Sequence, residues 1–233
     1  MPIDFADDGS HNLCMLAESH ILDRLAVHAT AEKHLYYGVS WDTYLQVREV
    51  IGDDSNVRLT FSHGVLEIMS PKRPHEQITR LIDMVVSHLA FDLGLNVDNC
   101  GAMTLRFESA QRGGEPDSCF YLANESAVRG LEEIDLAIHP PPDIVLEVDI
   151  TSPSIDKFGL YLVAQIPEVW RFDGSHMKFY VIAGEKYETI SNSLSFPSLT
   201  PEMIEGYLRI GRQQGSAAML NQVKLDIPRT KTS

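Results

Sequence analysis

Cysteine is scarce in this 233-residue chain: only Cys14, Cys100 and Cys119, odd in number and far apart. Such a set builds no disulfide framework, and with no CxxC pair or cysteine–histidine spacing it builds no zinc ribbon either. No apolar run approaches the roughly 18 residues needed to cross a bilayer. Met1–Asp8 has neither the basic start nor the apolar stretch of a signal peptide, so a reduced, cytoplasmic protein is expected. Positive charge is also short. Lys and Arg number 19 against 33 Asp and Glu, a formal net charge of −14. That deficit excludes general coating of nucleic acid, which needs cations to neutralise phosphate. It leaves room for a small basic patch, or for a carboxylate site that uses a metal. Familiar catalytic signatures are missing as well. There is no GxSxG elbow, Walker A loop or GxGxxG, and His75-Glu76 opens like HExxH only to meet Thr79 at the second histidine position. The nine histidines show no ligand spacing.

What is present is an ordinary globular mixture, 44% hydrophobic and 22% charged, long enough for one full domain or two small ones. Residues 1–39 read as an N-terminal extension with some helical character. Ser40 is a candidate N-cap for a helix to about Val50. Val57–Phe61 and Val65–Met69 flank Ser62-His63-Gly64 as a hairpin with a three-residue loop. From Pro74 to Leu93, Ile78, Leu81, Ile82, Val85 and Leu89 fall on one helical stripe. Strand-like stretches follow over 96–107 and Ser118–Leu122, separated by a turn over Arg112–Asp117. A connection with a short helix covers 123–139, and Asp143–Ile150 is the clearest strand. Ser154 can cap a helix to about Gln165. Trp170–Phe172, Met177–Ile182 and Tyr187–Ile190 form a meander, and Pro201–Leu208 a late helix. The expected class is α/β (α+β) with mixed strands and at least one crossover, in a domain over 40–208 followed by a weakly specified C-terminal tail over 209–233.

The strand Asp143–Ile150 alternates. Ile144, Leu146, Val148 and Ile150 take one face, and Val145, Glu147 and Asp149 the other. Two acids two residues apart repel unless water or a cation separates them. They face either solvent or a divalent cation, since Mg²⁺ takes a few carboxylates plus waters. Asp117 opens another strand, where Pro-Asp is equally a common turn element. Lys157, in the first turn of the helix expected from Ser154, either faces solvent or folds back to Glu147 and Asp149. On dipole grounds its position is unfavourable, so removing its charge should cost the fold little. His75 starts the long helix on the side of its apolar stripe, as a packed, capping or ligating residue. Glu67 lies in the hairpin strand, with burial undecided. Trp170 reads as core.

Pro116-Asp117, Leu146-Glu147-Val148-Asp149, Ser152-Pro153-Ser154 with Asp156-Lys157, and Pro167-Glu168-Val169-Trp170-Arg171 occur in that order. Together with the hairpin Gly64–Pro71 followed by His75, they resemble the putative restriction endonuclease family of the Uma type, within the PD-(D/E)xK nuclease superfamily. The resemblance spans about residues 40–208. It implies a restriction-endonuclease-like core, with a mixed central sheet flanked by helices, beside the hairpin and meander. It also implies metal-dependent hydrolysis of DNA phosphodiester bonds with Mg²⁺ or Mn²⁺, and a homodimer. Carried over by position, Asp117 is the motif aspartate and Glu147 the motif acid. The residue two beyond Glu147, normally lysine, is here Asp149, and Lys157 matches a lysine moved to the following helix. Asp117, Glu147 and Lys157 are thus the implied catalytic set, and Asp117, Glu147 and Asp149 the implied metal ligands. Glu67 and His75 match accessory positions beside the site. The alternative is a nuclease-fold protein that no longer cuts and serves as a binding or interaction module. A basic strip from Lys72, Arg73, Arg106, Arg112 and Lys157 would favour cutting.

Overall fold

The computed structural model describes residues 33–52, 57–150 and 155–226. Cys14, the expected helical character of residues 1–32, and the proposed cap Ser154 lie outside the described residues. The chain runs β1 (His34–Tyr37), α1 (Trp41–Ile51), β2 (Arg58–Ser62), β3 (Val65–Met69), α2 (Arg73–Leu93), β4 (Asp98–Asn99) and β5 (Leu105–Phe107). After a 3₁₀ turn come β6 (Arg112–Gly114), β7 (Ser118–Tyr121), α3 (Glu125–Val128), β8 (Ile144–Val148) and α4 (Phe158–Val163). The chain continues with β9 (Glu168–Phe172), β10 (Met177–Ala183), β11 (Lys186–Ile190), α5 (Pro201–Gln214) and α6 (Ser216–Asp226).

The strands form two sheets, ordered β1-β3-β2-β6-β5 and β11-β10-β9-β8-β7-β4. Every pairing is antiparallel except β8 with β9, which is parallel and is joined by the crossover through α4. The mixed α+β class is therefore as expected. Ile144, Leu146 and Val148 of β8 meet α2, α5 and α6 in the largest apolar cluster, with Trp170 and Phe179. The other face of β8 carries Val145 into a second cluster with Leu160 and Tyr161 of α4. Both faces of β8 are buried, so the half-solvated strand is excluded. A third cluster seats Tyr44 and Val47 of α1 on Leu59, Phe61 and Leu66 of the hairpin.

Several boundaries move, each for a local reason. Ser40 does cap α1, its hydroxyl accepting from Thr43 N at 3.1 Å. The hairpin turn has two residues rather than three: His63 and Gly64 both take positive φ, 45° and 82°, the type I′ geometry whose twist matches the strands. The segment expected as a turn contains β6, which pairs with both β2 and β5. Gly113 permits this. A Cβ there would lie 2.5 Å from the hydroxyl oxygen of Tyr44 and 2.8 Å from its ring, in a side chain that is 1% exposed. The helix expected over 154–165 spans only Phe158–Val163, with Lys157 as its N-cap. The last helix continues to Gln214, and α6 follows, with Met219 and Val223 in the main core. Packed structure thus extends well past residue 208.

Gly113→Ala should destabilise the protein by about 1–3 kcal/mol through forced displacement of Tyr44. Gly159→Ala is the comparison. Its Cβ would meet the Arg112 guanidinium at 2.5 Å, the movable end of a long side chain, so its denaturant midpoint should fall less. An equal loss in both variants would show that crowding at Tyr44 is not what selects glycine at 113.

Candidate active site

The site lies where the chain passes from the first sheet to the second. β6 ends at Gly114 and β7 begins at Ser118, so Glu115, Pro116 and Asp117 form the junction. Ser118 pairs with Leu146, and Asp117 N donates to Leu146 O at 2.9 Å. Continuing that register sets Asp117 opposite Glu147, and directly opposed residues place their side chains on one face. Asp117 and Glu147 are buried, each 6% exposed.

Lys157 is buried as well, at 8% exposure, so the solvent-facing lysine is excluded. Its Nζ donates to Glu147 Oε1 at 3.0 Å, to Oε2 at 2.9 Å, and to the backbone carbonyl of Glu115 at 2.8 Å. All three ammonium hydrogens are thereby used. The hydroxyl of Tyr161, one turn along α4, donates to Glu147 Oε1. On the other side, Asp117 Oδ2 accepts from Val148 N at 2.7 Å and lies 3.2 Å from His75 Nε2. His75 is brought there by the apolar stripe of α2, which packs Ile78 and Ile82 under the sheet. Asp117 Oδ1 is buried and accepts no hydrogen bond. Glu67, 2% exposed, accepts from Ile155 N at 3.0 Å and so ties the hairpin to the segment carrying Lys157.

The protonation equilibria follow from this packing. Burial drives the Glu147 carboxyl up to about 7, with Asp117 adding to the rise and Lys157 opposing it. For Asp117, burial alone would raise the pKa, but His75, Lys157 and the Val148 N–H more than offset it and hold the carboxyl below its ordinary value. Burial alone would lower the His75 pKa. Asp117 outweighs that and raises it. Lys157 stays charged for the same reason, the neighbouring carboxylates prevailing over burial.

The expected third carboxylate behaves differently. Asp149 Oδ2 accepts from Arg171 Nε at 2.9 Å. It borders a water-sized crevice of about 20 Å³ that Glu147, Lys157 and Arg171 also line. Among the described residues, no group of three or more His, Cys, Asp or Glu is placed to hold a metal ion. The expected basic strip is not continuous either: Lys72, Arg73 and Arg106 are exposed, whereas Arg112 is half-buried on Ser62 and Lys157 is internal. Two contributors escaped the sequence reading. Tyr161 sits four residues after Lys157, a helical spacing that could have flagged it. Glu115 acts through its backbone carbonyl, which leaves no sequence signal.

Against known proteins, the model of the family described as Uma2, putative restriction endonuclease, matches residues 41–209. The chain belongs to that family. Among curated proteins, none matches the chain. A crystal structure of a putative nuclease of the DUF820 group from Anabaena variabilis is similar, with 16% identity, a TM-score of 0.48, and coverage of 73% of this chain and 99% of that one.

Two predictions test the electrostatics. Because Lys157 neutralises a buried carboxylate, Lys157→Met should cost about 3–5 kcal/mol at pH 8, against the small cost expected from the dipole argument alone. Glu147→Gln added to it should recover most of that loss in urea denaturation. No recovery would mean that packing, and not charge, sets the cost. A raised histidine pKa contributes stability below the ordinary value of 6.5 that is lost as pH rises through the folded one. The stability gap between wild type and His75→Gln should therefore be wider near about pH 6 than near about pH 9. A gap independent of pH would remove the His75–Asp117 interaction from the stability balance.

Proposed function

We propose that this Uma2-family protein is a metal-dependent endonuclease that hydrolyses phosphodiester bonds of DNA. One observation carries the reading: Asp117, Glu147 and Lys157 are buried together on one face at the sheet junction, and Asp117 Oδ1 has no protein partner. An unsatisfied buried carboxylate oxygen is costly and invites a cation. Two carboxylates suit Mg²⁺, or Mn²⁺ in its place, which is commonly held by one or two carboxylates with water and phosphate oxygens completing the shell. Asp117 and Glu147 would hold the ion. Arg171 holds Asp149 Oδ2, so Asp149 would join the ligand set only by sharing or giving up that contact. A bound divalent ion would polarise the phosphate and generate a nucleophilic water at neutral pH.

The protein's own residues do the rest. His75 and the Val148 N–H fix Asp117 so that Oδ1 is the oxygen presented. Lys157 and Tyr161 neutralise and orient Glu147 before any ion arrives. Relieved of part of that pairing, the Lys157 ammonium stabilises charge that develops on the phosphoryl oxygens, a contribution typically worth a few kcal/mol. Cutting both strands calls for two such sites, so a homodimer, in a cytoplasmic setting suited to the free Cys100 and Cys119, completes the reading. Light scattering at tens of micromolar tests the dimer. The engagement of both Glu147 oxygens by Lys157, together with the −14 charge, favours a second reading, a nuclease-fold binding module that does not cut.

The deciding experiment is cleavage of single- and double-stranded oligonucleotides with Mg²⁺ or Mn²⁺, with Asp117→Ala as control. Wild type should cut and the variant should not. The ion should raise the wild-type melting temperature by mass action, and Glu147→Gln should remove most of that rise. Lys157→Met should keep the rise while slowing cleavage by roughly a hundredfold or more. No cleavage under any condition, with no metal-induced stabilisation, would leave the binding module.

A further inference from the structure

Behind the junction lies a cleft of about 510 Å³, distinct from the water-sized crevice at Glu147. Its volume falls in the roughly 300–1,000 Å³ range of ligand sites, large enough for a nucleotide-sized group. It shares one residue with the active-site scaffold. Glu115 lines the cleft, and its carbonyl holds Lys157.

Three arginines line the cleft, Arg48 from α1, Arg58 from β2 and Arg106 from β5. Arg48 is committed, with Nη1 3.1 Å from Glu115 Oε1. That pairing, joined by a hydrogen bond from Thr104 Oγ1 at 3.3 Å, neutralises the one carboxylate at the junction end of the cleft. Among the described residues Arg58 and Arg106 form no salt bridge, although Arg58 lies near enough to Glu115 to feel its charge. Arg58 Nε is buried and has no hydrogen-bond partner, an expensive state for a guanidinium nitrogen. A planar guanidinium with an unsatisfied Nε matches a phosphate oxygen, which accepts in bidentate fashion. Asp98 and the exposed Glu132 and Glu133 also line the cleft. Repulsion from them disfavours casual anion capture, so binding would depend on the two arginines.

We propose that this cleft is a phosphodiester-binding subsite, in which Arg58 and Arg106 hold a backbone phosphate of the nucleic-acid strand whose scissile bond lies at Asp117 and Glu147. The proposal deepens the nuclease reading and rests on it. Only Pro116 separates Glu115 from Asp117, so the two ends of the junction serve neighbouring stretches of one strand. Glu115 thereby couples the two places, its side chain fixing the cleft through Arg48 and its carbonyl fixing Lys157.

The test is fluorescence anisotropy with a labelled single-stranded oligonucleotide in EDTA, across a salt series, for wild type, Arg106→Gln, Arg58→Gln/Arg106→Gln and Glu133→Lys. Arg106 and Glu133 are exposed, so their variants report on binding even if Arg58→Gln impairs folding. The double variant should weaken binding at least about tenfold and reduce the salt slope by about one to two. Arg106→Gln should do part of this, and Glu133→Lys should tighten binding. Unchanged affinity and slope in both arginine variants would overturn the subsite while leaving cleavage, and so the nuclease reading, intact. If wild type neither binds oligonucleotide nor cuts, the nuclease reading fails. Thermal shift with inorganic pyrophosphate then decides the cleft: a shift lost in Arg106→Gln keeps an anion site there, and no shift removes it.

Discussion

The buried pair of Lys157 and Glu147 is the interaction on which the rest of this structure depends. An ammonium and a carboxylate removed from water each lose several kcal/mol of hydration, and only close mutual contact with full hydrogen bonding offsets that. The fold supplies those conditions from four separate segments. β8 presents Glu147, the chain before α4 presents Lys157, the junction presents the Glu115 carbonyl, and α4 presents Tyr161. Each requires its element to sit where it does, which explains why a helix of only six residues is held firmly: Tyr161 and Leu160 are almost fully buried. Glu67, accepting from Ile155 N, brings the first sheet into the same arrangement. The site is thus made by both sheets and belongs to neither alone.

How the carboxylates are satisfied separates those that build the fold from those free to do chemistry. Glu168 is fully buried and receives Trp170 Nε1 at 2.7 Å, Leu194 N at 3.2 Å, and both the N–H and hydroxyl of Ser195 at 3.0 Å. Asp143 receives Leu122 N, Asn124 N and the Asn124 amide. Both are saturated and close loops onto strand ends. Glu168 stands inside a motif that carried the family resemblance, yet its contacts give it structural work. Asp117 differs because one oxygen is saturated and the other is not. That asymmetry distinguishes a site residue from a scaffold residue more sharply than burial does, since all three are buried.

Much of this was legible in the sequence wherever one periodicity ran long enough. The stripe of α2 and the alternation of β8 were legible because each buries a whole face against one partner. The alternation also put Glu147 opposite the core face, and the Pro-Asp pair opened the adjacent strand. Legibility failed where tertiary contact overrides local pattern. β6 contains Gly113 and Gly114, poor strand formers, yet it pairs with both β2 and β5, and Tyr44 leaves no space for a side chain at 113. Helix α6 has only Met219 and Val223 buried, too sparse a stripe to read. Lys157 stands at a helix start whose dipole would repel it, and of the two placements the sequence leaves open it takes the one folded back to Glu147. In a six-residue helix with a carboxylate 2.9 Å away, the ion pair sets the energy.

The −14 charge then constrains how such a site can meet an anionic strand. At physiological ionic strength, charges beyond about 8 Å are largely screened. The distributed acidity therefore slows encounter more than it opposes contact, and the groups at the surface of contact decide what binds. At the junction those groups are mixed by design of the packing: Lys157 is spent on Glu147, Arg171 on Asp149 and Arg48 on Glu115. Each of these three cations is held by a carboxylate, which among the described residues leaves Arg58 and Arg106 as the cations of the neighbouring cleft outside such pairs. The interlock thus satisfies the buried charges of the junction from within the fold.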